Sequence, residues 1–511
     1  MEQNWSLYRK KIRYSALYPQ DDILRTHRKS TGRRQVKIVC TIGPASQSAE
    51  VLEELMEHGM NVARLNMSHG SQLWHQEAIT TIRKIAERKG IPIAILADLQ
   101  GPRIRVGALQ GGGMPLEAGQ SVTIAGSLER ESQQGRSSLG IQTIPVLYPA
   151  LSRDIRQGAR ILMDDGLIEM TVKKVQGKHL LCTVKVGGLL KSYKGVNFPG
   201  SQLSTATLTE KDLNDLRFAL DHQVEYIALS FVRSSDDVNR LKAQMKLLGK
   251  AVPVIAKIER PEAVKALEQI LQNADGVMIA RGDLAIEMSP EDIPVLQKRI
   301  IASANRQRRL VITATQMLDS MTTKRIPTRA EATDVANAVF DGTDAVMLSA
   351  ETSAGLYPVE AVRVMDRIIR RAEGEGMSLR NSGPVQMTEA CTVPEAICEA
   401  AANAAGLIKV KTIVALTETG TTARLISCHR PTVPIIALTP SGPVQRLMAL
   451  FWGVFPFVMA PIRETDERIQ EAEKLIKRQG LAKKGDRVVM VTGVHAHCSG
   501  GTNFMKIHEV E

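Results

Sequence analysis

Short apolar runs alternate with amphipathic stretches along the chain up to about residue 370. The runs stay apolar at consecutive positions, which is typical of parallel strands that are buried on both faces. They lie at residues 36–41, 62–66, 93–98, 226–230, 254–258, 277–280, 311–314 and 345–348. The amphipathic stretches predict helices and include residues 50–57, 78–88, 236–248 and 261–272. Eight such strands with helices between them predict an α/β fold, the (β/α)8 TIM barrel.

The helical pattern stops between about residues 102 and 196, where glycines and short β-type runs replace it. These runs cover residues 121–125, 160–163, 168–175 and 179–186. The change predicts a small all-β domain inserted after the third barrel strand. An insertion at that point has to lie over the barrel mouth, where its closure would exclude water, so we interpret it as a lid.

A polar segment that contains glycine, at about residues 373–392, marks a second change in composition. Beyond it, helices at 393–405 and 422–427 and strands at 412–416, 435–438 and 488–492 predict an α/β module with its own core. The predicted division is therefore an N-terminal extension (1–33), a catalytic barrel (34–101 and 197–372), a β-rich lid (102–196) and a C-terminal α/β regulatory domain (388–511).

The overall composition and charge indicate which general class of protein this chain belongs to. The 511 residues, 43% apolar and 23% charged, indicate an ordinary globular protein of about two to four domains. The basic N-terminus has no apolar signal core. No apolar run is long enough to span a membrane. The six cysteines form no Cys-x-x-Cys pair. These features favour a cytoplasmic protein. The net charge of +12 with only 4% aromatic residues favours anionic small molecules over nucleic acid.

Almost every predicted barrel strand ends in charged or polar side chains. They are Arg64, Asn66, Ser68, Asp98, Arg103, Arg105, Lys257, Glu259, Arg281, Asp283, Thr315, Gln316, Ser349 and Glu351. A barrel core has no use for such charges, because an unpaired buried charge costs several kcal/mol. A catalytic mouth needs carboxylates for a hard divalent metal and cations for an anionic substrate. Salt bridges at the barrel edge are the structural alternative.

Known phosphate-binding signatures are missing from the sequence. Neither the Walker phosphate loop nor the His-Arg-Asp and Asp-Phe-Gly set of protein kinases occurs, so a nucleotide has to bind in another manner.

Ten ordered motifs identify the sequence as similar to the pyruvate kinases. They are KIVCTIGPAS, NVARLNMSHG, DLQGPRIR, MDDGLIEM, KGVNFPG, AKIERPEAV, MIARGDLAIE, ITATQMLDSM, PTRAEATDVANAV and DAVMLSAETSAG. The resemblance implies transfer of the phosphoryl group of phosphoenolpyruvate to ADP in glycolysis, giving pyruvate and ATP. It also implies a cytoplasmic homotetramer, with a barrel, an inserted β lid and a regulatory α/β domain.

The resemblance also implies roles for individual residues. Glu259 and Asp283 are expected to bind Mg²⁺ or Mn²⁺, and a second Mg²⁺ is expected with the nucleotide. The backbone of Ala280, Arg281 and Gly282 would approach the substrate carboxylate, while Lys257 would stabilise the phosphoryl group and the enolate oxygen. The remaining assignments are Arg64 for the phosphoryl group, Arg105 for assistance from the lid hinge, Thr315 for orienting the substrate or a water, and Asn66, His69 and Arg105 for the nucleotide. Ser349 and Glu351 belong either to a proton-transfer network or to backbone packing.

Two departures from the family pattern carry expectations. Many relatives hold potassium with an Asn, a Ser, an Asp and a Thr; this chain keeps Asn66, Ser68 and Asp98 but has Leu99 in place of the Thr. Arg103 occupies the position of a nearby glutamate, and we interpret its fixed guanidinium as the replacement for a mobile cation, so potassium is not required.

The second departure is Ala285, where the family has Gly; it strains the backbone if φ is positive and is harmless inside a helix.

A Thr-rich loop in the C-terminal domain resembles the family's effector site. Thr417, Thr419, Gly420, Thr421 and Thr422 run from a strand into a helix, whose first N–H groups favour an anion. We expect a sugar phosphate, a sugar bisphosphate or AMP to bind there. A normally capped helix is the alternative. Two whole-protein alternatives also stay open: a different barrel enzyme such as a lyase, and a regulatory or nucleic-acid-binding relative without turnover.

Overall fold

The computed structural model describes residues 34–126, 142–201, 203–379, 392–493 and 501–511. The predicted N-terminal extension lies outside these described residues, as do the middle of the predicted lid and most of the segment before the C-terminal domain. None of the helices in the described segments has the length and hydropathy of a membrane span.

The strands and helices are numbered in chain order. The strands are β1 (Lys37–Ile42), β2 (Val62–Asn66), β3 (Ala94–Asp98), β4 (Met114–Leu116), β5 (Ser121–Gly126), β6 (Thr143–Val146), β7 (Arg160–Met163), β8 (Ile168–Gln176), β9 (His179–Val186), β10 (Gly188–Leu190), β11 (Val196–Asn197), β12 (Tyr226–Leu229), β13 (Val254–Ile258), β14 (Gly276–Ala280), β15 (Leu310–Ala314), β16 (Ala345–Leu348), β17 (Thr412–Leu416), β18 (Ile435–Thr439), β19 (Val454–Val458), β20 (Arg487–Thr492) and β21 (Phe504–Glu509). The helices are α1 (Ala49–Glu57), α2 (Gln72–Lys89), α3 (Leu151–Asp154), α4 (Glu210–Asp221), α5 (Ser235–Leu247), α6 (Pro261–Lys265), α7 (Leu267–Asn273), α8 (Arg281–Glu287), α9 (Ile293–Arg306), α10 (Arg329–Asp341), α11 (Ala350–Ser353), α12 (Pro358–Leu379), α13 (Val393–Leu407), α14 (Thr421–Cys428), α15 (Gly442–Leu447) and α16 (Thr465–Arg478).

Eight parallel strands close into a barrel in the order β1-β16-β15-β14-β13-β12-β3-β2. Every residue of β1, β3, β13, β14 and β15 is buried, which is why these strands are apolar at consecutive positions. Because all the strands are parallel, their carboxyl ends meet at one mouth. The predicted TIM barrel is confirmed.

The inserted segment forms mostly antiparallel sheet. Six strands pair in the order β11-β7-β8-β9-β5-β6, and β4 pairs with β10. The segment has its own apolar cluster, which includes Val122, Ile161, Met170 and Phe198. It leaves the barrel after β3 and returns before β12, so it joins the barrel at the mouth.

The C-terminal sheet has the order β19-β18-β17-β20-β21. Its edge strands β19 and β21 were not predicted from the sequence. β19 contains Pro456 and β21 carries polar residues at Lys506, His508 and Glu509, so neither shows a continuous apolar run.

One predicted helix of the barrel also differs from the structure. Residues 261–272 form two helices, α6 and α7, with a break at Ala266 (φ −92°, ψ 12°).

Polar contacts tie the C-terminal domain to the amino ends of the barrel strands. Tyr226 Oη donates a hydrogen bond to the Leu447 carbonyl at 2.7 Å, and Lys37 Nζ donates to the Val454 carbonyl at 2.7 Å. Asp344, just before β16, lies 3.2 Å from Arg424 Nη1 of α14. The C-terminal domain therefore packs against the end of the barrel opposite the mouth.

Candidate active site

Four charged side chains from three barrel strands form one buried ion cluster at the mouth. Arg64 of β2 donates to Asp98 Oδ2 through Nε at 2.7 Å, and its Nη2 lies 2.6 Å from the same oxygen. Lys257 Nζ lies 3.3 Å from Asp98 Oδ1 and 2.8 Å from Glu259 Oε1. The relative exposure of the four residues lies between 1% and 9%. Each charge has an opposite charge in contact, which offsets the cost of burial.

Within the cluster, the pKa shifts of Lys257 and Asp98 favour the charged form of each. Burial disfavours the ammonium of Lys257, but Asp98 and Glu259 outweigh that effect and raise its pKa above the usual range. Burial raises the pKa of Asp98, yet Lys257 and Arg64 more than compensate and hold it below the usual value. Lys257 is therefore a permanent, buried positive charge at the mouth.

Glu259 and Asp283 lie on neighbouring strand ends and provide oxygen donors. Burial first, and the charge of Glu259 second, raise the pKa of Asp283 to about 6, while Lys257 and Arg103 act in the opposite direction. Glu259 Oε2 accepts the backbone N–H of Phe231 at 2.8 Å. Two carboxylates that repel each other fit a hard divalent cation such as Mg²⁺. Among the described residues, no group of three or more His, Cys, Asp or Glu is arranged for a metal.

The backbone after β14 turns directly into α8, and the Arg281 side chain is engaged away from any ligand. Its Nη1 donates to Asp334 Oδ1 at 2.6 Å and its Nη2 to the Thr315 carbonyl at 2.8 Å. Thr315 Oγ1 accepts the Gly282 N–H at 2.8 Å. The Arg281 guanidinium is therefore taken up by protein partners.

The Glu351 carboxylate satisfies backbone groups. Its Oε1 accepts the N–H of Leu318 at 3.0 Å and its Oε2 accepts the N–H of Ser349 at 2.6 Å. Burial raises the pKa of Glu351. Ser349 Oγ is buried and has no hydrogen-bond partner. These contacts favour the packing alternative for Glu351.

The polar contacts of the mouth include two residues that were not predicted from the sequence. Ser230 Oγ lies 2.9 Å from Lys257 Nζ and donates to the Leu99 carbonyl at 2.7 Å. Thr41 Oγ1 accepts a hydrogen bond from Arg64 Nη1 at 2.9 Å. Both residues stand at the carboxyl ends of barrel strands, the signal that identified the others.

Family models match both the barrel and the C-terminal part of the chain. Residues 33–362 match the model for the pyruvate kinase barrel domain, and residues 395–508 match that for the pyruvate kinase alpha/beta domain. Pyruvate kinase 2 of Synechocystis sp. is 45% identical over 483 residues, which are 94% of this chain and 80% of that protein. The chain belongs to the pyruvate kinase family.

Further pyruvate kinases are also similar to this chain in sequence and structure. A pyruvate kinase of Geobacillus stearothermophilus is 44% identical over 483 residues, covering 94% of this chain and 81% of that protein. A crystal structure of a pyruvate kinase from Cryptosporidium parvum has a TM-score of 0.86 at 36% identity and covers 96% of this chain and 98% of the other. Membership of the family excludes the alternative of a lyase with a different barrel.

The predicted nucleotide side of this pyruvate kinase lies between β2 and the lid. Asn66 Oδ1 accepts the Ser68 N–H at 3.1 Å, and Arg105 Nη1 donates to the Tyr193 carbonyl at 3.0 Å. Burial and the nearby Arg105, Arg103 and Arg64 lower the pKa of His69. His69 is therefore close to the arginines and favours the neutral form.

The position where the pyruvate kinase family has a glutamate carries an arginine that contacts the lid. Arg103 Nη2 donates to Asp165 Oδ1 at 3.4 Å, and the Arg103 side chain is 35% exposed. The Leu99 side chain is buried in the barrel core, and Asp98 is engaged by Arg64 and Lys257. Asp165, from the motif MDDGLIEM, is a lid residue that the pattern of strand ends did not indicate.

Ala285, the second departure from the pyruvate kinase pattern, lies inside α8 and has no positive φ. This conformation supports the harmless alternative, because a helix accepts Ala more readily than Gly.

The Thr-rich loop of the C-terminal domain joins β17 to α14. Thr417 Oγ1 accepts the Gly420 N–H at 3.0 Å, and Gly420 has φ +89°. The hydroxyls of Thr419 and Thr421 are 2.8 Å apart, and Thr422 Oγ1 lies 2.7 Å from Thr502 Oγ1. The loop thus gathers hydroxyl groups at the start of α14.

Proposed function

We propose that this pyruvate kinase transfers the phosphoryl group of phosphoenolpyruvate to ADP and releases pyruvate and ATP. One observation carries the assignment of residues: the permanently charged Lys257 lies 2.8 Å from Glu259, beside Asp283, at the carboxyl ends of β13 and β14. This arrangement supports a site in which a positive charge and two carboxylates that would bind the metal act at one point of the mouth.

In the proposed reaction, the bond between phosphorus and the enol oxygen of phosphoenolpyruvate breaks, and phosphorus bonds to a β-phosphate oxygen of ADP. The enolate then takes a proton at its methylene carbon and becomes pyruvate. Glu259 and Asp283 would hold Mg²⁺ or Mn²⁺, which supplies positive charge for the phosphoryl oxygens, and a second Mg²⁺ would accompany the nucleotide.

The chain's own residues supply binding and electrostatic stabilisation. Lys257 would stabilise the phosphoryl group in transfer and the enolate oxygen. Arg64, oriented by Asp98, would hold the phosphoryl group. The N–H groups near Gly282 and the Thr315 hydroxyl would orient the carboxylate end of the substrate. Asn66, His69 and Arg105 would contact the nucleotide.

The test is pyruvate formation from phosphoenolpyruvate, ADP and Mg²⁺ by Lys257→Met. We expect kcat to fall by about 10³-fold or more, because a charge directed at the transition state is lost. Lys250→Met is the matched control, since Lys250 pairs with Asp221 in an ion pair that is exposed on both sides. Equal activity of Lys257→Met and the wild type would contradict the assignment.

We further propose that turnover does not require potassium. Arg103 supports this proposal, because its permanently charged guanidinium is near enough to Asp283 and His69 to act on both electrostatically. We expect equal kcat with and without K⁺ in a buffer free of sodium and potassium. The double substitution Leu99→Thr with Arg103→Glu should create potassium dependence, and Arg103→Lys should not. A strict potassium requirement of the wild type would contradict the proposal.

We also propose that a phosphorylated effector binds the loop from Thr417 to Thr422. The N–H groups at the start of α14, with the surrounding hydroxyls, support an anion there. Titration with a sugar bisphosphate, a sugar monophosphate and AMP, followed by thermal shift and by activity, would identify the effector. Thr421→Glu should abolish the effect by repulsion, whereas Glu418→Gln should strengthen it. Equal responses of both variants would place the effector elsewhere.

We propose that the protein is a cytoplasmic homotetramer, as the family resemblance implies. Ile326 and Leu356 are more than two-thirds exposed and supply apolar surface that subunit contacts would cover. Light scattering coupled to size exclusion should give four times the chain mass of 55.9 kDa. A monomeric mass at micromolar concentration would contradict the proposal.

A further inference from the structure

The chain takes an unusual conformation just after β15. Thr315 and Gln316 have φ +64° and φ +53°, so two consecutive residues other than glycine lie in the left-handed region. This conformation is unfavourable for a β-branched residue such as Thr, and it persists only where the surroundings hold it. The Gln316 side chain is exposed, so its own packing does not impose the conformation. We call residues 315–318 the β15 corner.

Arg281 holds the first half of the β15 corner. Its Nε donates to the Ala314 carbonyl at 3.2 Å, and its Nη2 donates to the Thr315 carbonyl at 2.8 Å. The guanidinium thereby fixes the peptide groups on both sides of Thr315. Because the fork of Arg is rigid and planar, two such bonds define the direction of both carbonyls.

Asp334, on α10, fixes the guanidinium from the other side. Its Oδ1 accepts from Arg281 Nη1 at 2.6 Å, and Gln297 Oε1 accepts from the same nitrogen at 3.1 Å. Arg281 is 9% exposed, so the carboxylate of Asp334 compensates a largely buried charge. Without it, the guanidinium would have to move toward water or find another partner.

The remaining hydrogen bonds of the β15 corner connect it to groups on the proposed substrate side of the mouth. Thr315 Oγ1 donates to the Ala314 carbonyl at 2.7 Å and accepts the Gly282 N–H at 2.8 Å. On the far side of the corner, Leu318 N–H donates to Glu351. The left-handed conformation therefore decides where the Thr315 hydroxyl and the Gly282 N–H stand relative to each other.

We propose that Asp334, acting through Arg281, is a positioning residue that holds Thr315 in its left-handed conformation and so sets the docking point for the substrate carboxylate. The proposal rests on the proposed function, which places Thr315 and Gly282 beside that carboxylate.

The experiment compares Asp334→Asn, Gln316→Gly and the double variant. Asp334→Asn should lower kcat/KM for phosphoenolpyruvate by about tenfold or more, because small misplacements of a docking group are costly, while KM for ADP stays unchanged. Glycine adopts positive φ without strain, so glycine at 316 removes one of the two unfavourable conformations of the β15 corner, and the double variant should be more active than Asp334→Asn. Gln316→Gly alone is the reference with which the double variant is compared. Asp221→Asn, which removes an exposed ion-pair partner, is the control.

Three results would overturn the proposal. One is a wild-type kcat/KM for Asp334→Asn, and another is an equal rise of KM for both substrates. The third is a double variant that is no more active than Asp334→Asn although both melt at the wild-type temperature. If Asp334→Asn does not fold, recovery of folding by Gln316→Gly supports the proposal and its absence opposes it. An inactive wild type would instead refute the proposed function.

Discussion

Buried charges at the mouth illustrate what a single residue costs and provides. Lys257 and Asp98 would each be strongly destabilising alone, since removing one partner of a buried pair leaves an uncompensated charge worth about 3–5 kcal/mol. Together with Arg64 and Glu259 they are compensated, and the positive end remains available at the mouth. The site therefore depends on the complete set rather than on any one member.

Metal binding should depend on pH through Asp283. The raised pKa of about 6 means that the carboxyl of the metal-free protein holds a proton below that pH and is ionised above it. A proton competes with the metal, so the affinity for Mn²⁺ should fall by about tenfold per pH unit below 6 and level off above 7. Isothermal titration of the protein with Mn²⁺ between pH 5 and 8 measures this. An affinity that does not change between pH 7 and 5 would contradict the assignment, and Asp283→Asn should bind weakly at every pH.

Ala285, the second departure from the family pattern, should be neutral for activity. Ala285→Gly should lower the free energy of unfolding by about 1 kcal/mol, because glycine is unfavourable inside a helix, without raising kcat. Chemical denaturation and steady-state kinetics of the variant provide the check. A large gain in activity would show that Ala285 strains the mouth.

Individual helices also stabilise the connections next to the mouth, and α4 is an example. Asp212, in its first turn, forms a capping box with Thr209, accepting the Thr209 N–H at 2.9 Å. Its second oxygen accepts the N–H of Gly101 at 3.0 Å, where φ is +69°. Gly101 lies between β3 and the lid, so one buried carboxylate both starts a helix and anchors the lid connection.

Substitution of this carboxylate should cost more than the loss of an ordinary helix cap. Asp212→Ala leaves several buried donors unpaired, and we expect a loss of about 3 kcal/mol in unfolding free energy. Ser48→Ala, which removes only the side-chain cap of α1, should cost about 1 kcal/mol. Urea denaturation of the two variants compares them; equal losses would mean that the Gly101 contact contributes nothing.

At the scale of the whole molecule, a buried carboxylate joins the barrel to the C-terminal domain. Asp344 is fully buried and lies 3.2 Å from Arg424 Nη1 and 2.8 Å from Arg430 Nη1. It also accepts the Val311 N–H at 2.9 Å. Arg424 belongs to α14, which starts at the Thr-rich loop, and Asp344 precedes β16, which ends at Ser349. This ion pair therefore joins a helix that starts at the proposed effector loop to a strand that ends at the mouth.

Removing this carboxylate should weaken the contact between the domains. Asp344→Asn leaves two largely buried guanidinium groups without their counter-charge, and we expect a loss of about 3 kcal/mol. Calorimetry should show a lower melting temperature and a C-terminal transition that separates from that of the barrel. Asp221→Asn, in an exposed pair, should shift stability by less than about 1 kcal/mol. A single, unshifted transition for Asp344→Asn would contradict this role.

Apolar runs and motif spacing already determined most of the architecture of this protein. A parallel strand buried on both faces is apolar at most of its positions, so the eight barrel strands are visible in the chain itself. Lys257, Glu259 and Asp283 stand out because a charge at or just beyond the end of such a strand needs a special reason. The edge strands β19 and β21 did not stand out, because an edge tolerates Pro456 and polar residues.

Only the tertiary structure decided which groups the charges meet. No pattern in the chain indicates that Arg103 contacts Asp165 of the lid, that the Arg281 guanidinium is directed at Asp334, or that Glu351 binds backbone N–H groups. A side chain's partner depends on segments far away in sequence that folding brings to the same place, whereas burial and strand period are local. The sequence by itself thus determined the barrel and the identity of its charged strand ends. The positions and partners of those charges, on which the proposed chemistry depends, were set by the packing of distant elements.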